Sequence, residues 1–219
     1  NLYESLRKQV SYVFEAATKR PKLETALEVM SSITKSNKKN KAPKIATEKS
    51  RRFIFKKEFK RLDIPQHMAK LINYALIDIL NRYDNTLIFG EDVAQKGGVY
   101  NVTSELFNIF GPRRIFNSPL DETSIIGFGV GFAHNGFIPI PEIQFLAYFH
   151  NAEDQLRGEA ATLAFFSNGQ FSNPMVLRVP GLAYQKGFGG HFHNDNSLSV
   201  FRDIPGIILA VPSNGLDAV

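Results

Sequence analysis

Apolar and polar residues alternate in two distinct patterns beyond about residue 66. Over residues 67–83 apolar side chains recur every three to four positions, the period of a helix with one buried face. Short runs of consecutive apolar residues, bounded by Gly, Pro or Asn, indicate buried strands. Such runs cover residues 85–90, 114–117, 137–145, 175–179 and 207–211, and further helices are predicted at 102–110, 121–135 and 149–166.

This alternation predicts an α/β domain with a mostly parallel sheet and helices on both faces, because short apolar strands must be covered on both sides. Ligands of such sheets bind beyond the carboxyl ends of the strands. Three chemically capable positions each come just after a predicted strand: Glu122, Gln144 with Phe145, and residues 191–194. We therefore expect the functional site at that edge of the sheet.

The first 65 residues have a different character. Residues 1–33 show helical periodicity in two segments separated at Pro21, and residues 34–49 are polar and rich in lysine. We interpret residues 34–65 as a basic linker with one short packed element, and residues 66–219 as the compact domain. Residues 1–61 hold 17 Lys and Arg against 6 Asp and Glu, whereas the remainder holds 9 against 15.

Composition excludes several functions. The 219 residues include no cysteine, which rules out disulfides, thiolate metal sites and a cysteine nucleophile. No apolar run approaches the roughly 18 residues of a membrane span. The lysines of the basic segment lack interleaved aromatic residues except near Phe53 and Phe55, and no nucleic-acid-binding module is visible. We expect neither a membrane nor a nucleic-acid partner, and a cytoplasmic location, or the mitochondrial matrix in a eukaryote.

Residues 115–127 are the most informative stretch. Pro119 stops a strand, Asp121 suits a helix N-cap, and Glu122 falls in the first turn, where the helix dipole favours a carboxylate. The following residues 124–133 are almost free of charge, so a buried helix is predicted. From spacing alone, Glu122 could simply decorate the start of that helix.

A more specific chemistry fits the same residues. Burial raises the pKa of a carboxyl and a helix N-terminus opposes it, so such a group can share a proton with a ring nitrogen. Phe145 and Tyr148 can stack on a flat heterocycle, and His193 can move protons near neutral pH. Together with Glu122, they predict a site for an aromatic, nitrogen-bearing cofactor.

The blocks around these residues carry a family resemblance. They read FGEDVA at 89–94 with GGV at 97–99, NSPLDE at 117–122, EIQF at 142–145 and HFH at 191–193. In this order and spacing they resemble the β chain of the thiamine-diphosphate-dependent decarboxylating component of 2-oxoacid dehydrogenase complexes, over about residues 68–213. The resemblance implies the pyrimidine-binding fold of the transketolase type.

The resemblance also assigns roles. It implies that Glu122 hydrogen-bonds the ring nitrogen N1′ of the aminopyrimidine and thereby activates thiamine diphosphate, after which carbon dioxide leaves the 2-oxoacid. It implies that His193 acts when the acyl group passes to a lipoyl arm. The positions matching the lining of the aminopyrimidine side are Leu120, Gln144, Phe145 and Tyr148. The substrate is left open between pyruvate and branched-chain 2-oxoacids.

Other expectations concern what this chain does not supply. In the family a Gly-Asp-Gly motif on the α chain holds Mg²⁺ and the diphosphate, and it does not occur in this sequence. The expected partners are an α-type region of the same or another subunit, a further copy in a homo-oligomer and a lipoyl-bearing acyltransferase core. Residues 1–33 resemble the closing helices of an α chain, which favours a fused polypeptide tethered through residues 34–49. The segment by itself should be inactive.

Alternatives are a β chain with an unrelated extension, another transketolase-like synthase, and a non-catalytic basic binding protein. The FGEDVA and EIQF blocks favour the dehydrogenase component over the synthase, and the presence of Glu122 and His193 argues against a non-catalytic protein. The pair His191 and His193 lacks an evident third metal ligand. The glycines at 127, 129 and 131 lie within a helix pattern, which does not match a dinucleotide fingerprint. No metal site is predicted within this chain.

Overall fold

A computed structural model describes residues 1–33, 45–182 and 189–219. At its centre lie three parallel strands, β1 (Thr86–Gly90), β2 (Ile115–Asn117) and β3 (Ile138–Glu142), in the order β2-β1-β3. Within this register Ile88 of β1 is opposite Ile115 on one side and Ile140 on the other. The predicted α/β architecture is confirmed, and the three carboxyl ends lie along one edge of the sheet.

The central strand is buried on both faces. Helix α4 (Met68–Arg82) covers one face, where Leu80 packs in the same cluster as Ile88. Helix α6 (Glu122–His134) lies against the other face, where Ile125 and Ile126 pack in one cluster with Leu87 and Phe89. Successive β1 side chains therefore enter different clusters, as the two-residue period of a strand requires.

Several helices lie before the sheet. Helix α1 (Leu2–Thr18) and helix α2 (Ala26–Ile33) confirm the two predicted N-terminal helices, and α1 buries no residue. Helix α3 (Glu48–Phe55) is followed by a 3₁₀ segment, Lys56–Arg61. The predicted linker at 34–49 lies mostly outside the described residues, and the last two of its residues, 48 and 49, belong to α3.

Helix α3 is attached to the domain through α4. The Arg51 guanidinium lies 2.9 Å from Asp78, and the Ser50 hydroxyl donates to Asn81 at 2.7 Å. Phe55 is buried edge-on against Tyr74, with ring centroids 5.6 Å apart. The short basic element therefore packs on the domain through Phe55, whereas Phe53 is 80% exposed.

The remaining helices are short. They are α5 (Leu106–Phe110), α7 (Leu146–Phe149), α8 (Leu163–Phe166) and α9 (Ser199–Arg202), with 3₁₀ turns at Val99–Asn101, His150–Ala152 and Gly190–Phe192. The single helix predicted at 149–166 is wrong, because α7 and α8 are separated by a π-helical segment, Gln155–Ala160. There the Thr162 hydroxyl donates to the Gly158 carbonyl at 2.6 Å, which favours local distortion of the helix.

Two predicted strands are absent from the described sheet. Residues 175–179 run beside β3, where the Val176 and Arg178 N–H groups donate to the carbonyls of Pro139 and Pro141. The prolines have no N–H to donate in return, so only an isolated bridge forms, between Glu142 and Arg178. The strand predicted at 207–211 is also wrong: Ile208 is 97% exposed, and no described strand lies beside it.

The prediction that α6 is wholly buried needs correction. Its inner face is buried and includes Gly129, where an added Cβ would meet the sulfur of Met175. On the other face Gly127 and Gly131 have open space around them, and the Phe128 side chain is 47% exposed. This helix therefore has one exposed face, although its sequence is almost free of polar residues.

Candidate functional site

Carboxylates and rings collect at the carboxyl edge of the sheet. Glu91 follows β1 directly, Glu122 begins α6 after β2, and Glu142 ends β3. The loops between these elements are fixed by backbone contacts: the Asn117 side-chain oxygen accepts from the Ala94 N–H at 2.9 Å, and the Gly90 carbonyl accepts from the Ser118 N–H at 2.9 Å. Ordered loops therefore position these three carboxylates at the carboxyl edge of the sheet.

Glu122 lies where the sequence predicts it, in the first turn of α6 and partly buried. Its Oε2 atom accepts a hydrogen bond from the side-chain amide of Asn151 at 3.2 Å. Asp121 occupies the N-cap position, but its carboxylate bonds the Ser124 hydroxyl at 2.5 Å and caps no backbone N–H. The Glu122 side chain therefore lies at the N-terminal end of α6 and is not the residue that caps the helix.

Glu91 is a site residue that sequence reasoning did not single out. It is 5% exposed, and its Oε1 atom is buried without a hydrogen-bond partner among the residues that the structure describes. Burial first, and then the charges of Glu122 and Asp92, raise the pKa of Glu91 to about 7. The available signal was a carboxylate directly after a fully apolar strand, but its relevance depends on the fold bringing it close to Glu122.

An aromatic cluster joins the segment after β3 to the segment around His193. The His193 ring lies 4.7 Å from the Phe145 ring and 6.2 Å from the Tyr148 ring, centroid to centroid, in edge-on arrangements. Phe192 stacks on Tyr148 at 6.3 Å with nearly parallel planes. His193 Nδ1 lies 3.2 Å from the carbonyl oxygen of Gly189, a contact that places a proton on Nδ1. The structure therefore brings together three of the predicted site residues.

Two other predicted residues have different positions. Leu120 lies in the loop before α6 with 85% of its surface exposed. Gln144 is partly buried and is joined to Phe145 by a cis peptide bond. No described contact links either side chain to the aromatic cluster, so their lining role stays a prediction.

Glu142 forms a second, sealed carboxylate site. Its side chain is fully buried, and the Arg178 guanidinium donates to its Oε2 atom. Burial raises the pKa of Glu142, and the Arg178 charge acts in the opposite direction. A Cβ added to Gly98 would lie 3.2 Å from Glu142 Oε1, and one added to Gly90 would collide with the Glu142 carbonyl oxygen. The glycines thus permit two loops to close over this ion pair.

The other histidines do not form a metal centre. His191 packs on Phe192 with ring centroids 4.0 Å apart, and His150 lies 3.6 Å from Asp195. Within residues 1–33, 45–182 and 189–219, no three His, Cys, Asp or Glu side chains are grouped as a metal site requires. No helix in these ranges is both long and apolar enough to cross a membrane.

Comparison with known families identifies the domain. The model of the transketolase pyrimidine-binding domain matches residues 65–219, which is most of the chain. The chain belongs to this family. The predicted resemblance is thereby confirmed at the level of the domain, and the edge of the sheet described above is the edge of a pyrimidine-binding domain.

Curated relatives of this pyrimidine-binding domain are β subunits of dehydrogenases. The chain is 39% identical over 155 residues to the 3-methyl-2-oxobutanoate dehydrogenase subunit beta of Mycobacterium tuberculosis, covering 69% of this chain and 43% of that protein. It is 38% identical over 156 residues to the pyruvate dehydrogenase E1 component subunit beta of Staphylococcus epidermidis, covering 69% and 46%. The corresponding values for the 2-oxoisovalerate dehydrogenase subunit beta of Pseudomonas aeruginosa are 37% over 154 residues, 69% and 43%. The chain spans less than half the length of these relatives.

Proposed function

We propose that this chain supplies the aminopyrimidine-binding half of a thiamine diphosphate site in a 2-oxoacid dehydrogenase, with Glu122 as the contact to N1′. One observation carries the proposal: Glu122 begins the helix at the carboxyl edge of a pyrimidine-binding domain, with a second, buried carboxyl electrostatically coupled to it. The family fold alone does not specify chemistry, so the site residues must support it.

The described residues fit a flat, nitrogen-bearing ring. Glu122 is partly exposed and so can receive a ligand, and the raised pKa of Glu91 makes the neighbouring carboxyl a proton holder near neutral pH. The partly exposed Tyr148 offers a ring surface next to His193, whereas Phe145 is 9% exposed and packs edge-on against His193. The Oε1 atom of Glu91 is a buried acceptor without a hydrogen-bond partner in the described residues, and a ligand at this site would supply one.

In this proposal the cofactor and the protein have separate tasks. Thiamine diphosphate, when bound, supplies the carbon centre that cleaves the 2-oxoacid and carries the acyl group. Glu122 would share a proton with the ring nitrogen when the cofactor is bound, and Glu91, whose pKa burial raises to about 7, limits the negative charge of the site by holding its own proton up to about neutral pH. His193, whose Nδ1 faces the Gly189 carbonyl, would exchange protons through Nε2 when the acyl group passes to a lipoyl group.

The proposal requires a partner. The metal and diphosphate contacts are assigned to an α-type region of the same or another subunit, because the Gly-Asp-Gly motif that supplies them in the family does not occur in this sequence. The exposed apolar face of α6, with Gly127, Phe128 and Gly131, supports the presence of a covering surface. The relatives are named for pyruvate and for branched-chain 2-oxoacids, and we propose a substrate from these two groups.

The test is Glu122→Gln in the polypeptide assembled with its α-type partner. The variant should still bind thiamine diphosphate, measured by calorimetry, but lose decarboxylation by roughly two to four decades, the size of a lost proton-transfer group. Steady-state turnover of a 2-oxoacid with an artificial electron acceptor gives the rate. Glu159→Gln, which changes an exposed glutamate in the π-helical segment, is the control. Activity of Glu122→Gln within threefold of the unmodified enzyme would refute the assignment.

A further inference from the structure

Asn151 connects the first turn of α6 to the segment that carries the aromatic cluster. It lies in the 3₁₀ turn His150–Ala152, three residues after Tyr148. Its side-chain amide donates to Glu122 Oε2 at 3.2 Å, and its backbone carbonyl accepts from the Thr123 hydroxyl at 3.0 Å. Two adjacent residues of the helix thus hold Asn151 from two directions, through its side chain and through its main chain.

The hydrogen bond from the Asn151 side-chain amide makes the two oxygens of the Glu122 carboxylate inequivalent. An ionised carboxylate accepts through both oxygens, whereas the side-chain nitrogen of asparagine only donates. With Oε2 engaged by Asn151, the oxygen available to a ring nitrogen is Oε1. A freely rotating glutamate would present either oxygen, and a catalytic contact needs the reacting atom held within a narrow geometry.

The surroundings also favour a neutral donor at this position. The charge of Glu122 acts on Glu91, and Glu91 also feels Asp92, while Asp121 precedes Glu122 at the helix N-cap. On the turn itself, His150 lies 3.8 Å from Glu153 and 3.6 Å from Asp195. An amide orients the carboxylate without adding charge to this acidic group, whereas a carboxylate at 151 would add one more like charge.

We propose that Asn151 is a positioning residue, which fixes the Glu122 carboxylate through its side-chain amide so that Oε1 faces the ring nitrogen. The proposal rests on the proposed function of Glu122 and assigns to Asn151 no contact with the cofactor. The chain offers a matched control: the Asn108 amide donates to Glu105 at 3.0 Å in the same carboxylate-to-amide arrangement, on the exposed surface of α5.

The bond can be tested without cofactor. In the full 219-residue chain labelled with ¹⁵N, the side-chain amide signal of Asn151 should shift on the substitution Glu122→Gln, while the amide signal of Asn108 stays in place. In the unmodified chain, the chemical shift of the Asn151 side-chain amide should also change with pH as the surrounding carboxyl groups titrate. In Glu122→Gln most of this pH dependence should disappear. An Asn151 signal that ignores Glu122→Gln would overturn the proposal.

The consequence for catalysis is tested in the assembled enzyme. Asn151→Ala should lower kcat about tenfold, with the dissociation constant of thiamine diphosphate changed less than about threefold, because the carboxylate remains but is no longer oriented. Asn151→Asp should lower kcat further and move the acid limb of the kcat–pH profile upward by about one unit. Asn151→Gln keeps a donor and should recover part of kcat. Asn108→Asp should change none of these quantities.

A structural role would give a different pattern. If Asn151→Ala and Asn151→Asp lower the melting temperature but leave kcat and the acid limb at the values of Asn108→Asp, Asn151 merely fastens the turn and the proposal is wrong. The two proposals fail separately. An active Glu122→Gln refutes the proposed function, whereas an inactive Glu122→Gln together with unchanged Asn151 variants refutes only the positioning role.

Discussion

Glu91 and Glu142 follow neighbouring parallel strands, yet the protein treats these two carboxyls in different ways. Both are buried, and the Oε1 atom of Glu91 has no hydrogen-bond partner in the described part of the chain. Glu142 faces Arg178, so its charge is compensated within the core. Burial raises the pKa of both carboxyls, but at Glu91 the charges of Glu122 and Asp92 act in the same direction as burial and bring the pKa to about 7.

The difference shows how one sheet edge can combine stability with reactivity. A buried carboxylate with an arginine partner is a fixed charge, costly to disturb and chemically quiet. A buried carboxyl beside a like charge keeps its proton near neutral pH and can take part in proton transfer. The three predictions that follow test whether the Glu142–Arg178 ion pair is structural and whether the side of the edge with Glu91, Glu122 and His193 is functional.

The largest effect is expected from Arg178→Met. Removing the arginine leaves Glu142 buried without its counter-charge, which should lower the free energy of unfolding by about 3–5 kcal/mol. Denaturant titration followed by circular dichroism measures the change. Arg157→Met is the control, since Arg157 forms an exposed pair with Asp154 at 2.7 Å and should contribute about 0–1 kcal/mol.

The double variant Glu142→Leu with Arg178→Met sharpens this test. It removes both charges, so much of the stability lost in Arg178→Met should return. If the free energy of unfolding of Arg178→Met lies within about 1 kcal/mol of that of the unmodified chain, the Glu142–Arg178 pair does not stabilise the fold appreciably.

The second prediction concerns His193→Ala, in the aromatic cluster. The variant should retain most decarboxylation with an artificial acceptor but acylate a lipoyl domain about 10–100-fold more slowly, because a proton-exchanging group is lost. Both rates are measured in the assembled enzyme, with His191→Ala as the neighbouring control. Equal losses in both assays would instead assign His193 to substrate positioning, and no loss in either would remove it from the site.

The smallest effect, on stability, is expected from Glu91→Gln. The folded chain holds the Glu91 proton up to about pH 7, whereas an unperturbed glutamate releases it near 4.5. Between these values the unfolded chain binds fewer protons, so stability falls as pH rises through this window and stays lower above it. The variant has no such proton, so its stability relative to the unmodified chain should rise by about 3 kcal/mol between pH 4.5 and 8.

Urea titrations at half-unit pH intervals check this prediction. The slope of unfolding free energy against pH should flatten in Glu91→Gln and remain unchanged in Glu159→Gln, an exposed glutamate. Parallel slopes for Glu91→Gln and the unmodified chain would show that Glu91 does not hold its proton, and the contrast with Glu142 would then disappear.

The sequence predicts elements well where a pattern is both long and local. Helix α4 and strand β1 follow from periodicity and from a fully apolar run, and Glu122 follows from the proline and N-cap residues before it. The run at 207–211 is equally apolar, but a strand forms only where a neighbour offers its backbone, and none of the described strands does so. Local pattern does not contain that information.

The site is predicted less completely than the fold, because its chemistry comes from distant residues. Glu142 and Arg178 are 36 positions apart, and the contact between Asn151 and Glu122 spans 29 positions. The sequence shows each of these residues but not which pairs meet. The pKa of Glu91 depends on such a meeting, so no reading of the residues around it could identify it as a proton holder.

The two prolines of β3 have a consequence for handling the protein. Pro139 and Pro141 occupy alternate positions, so their missing N–H groups face away from β1 and cost the sheet no internal hydrogen bond. An extended chain from another molecule that approaches this side would meet carbonyl oxygens but no donors at these two positions. The outer side of β3 is thus a poor template for edge-to-edge aggregation during refolding or concentration, even if residues 175–179 were to detach from it.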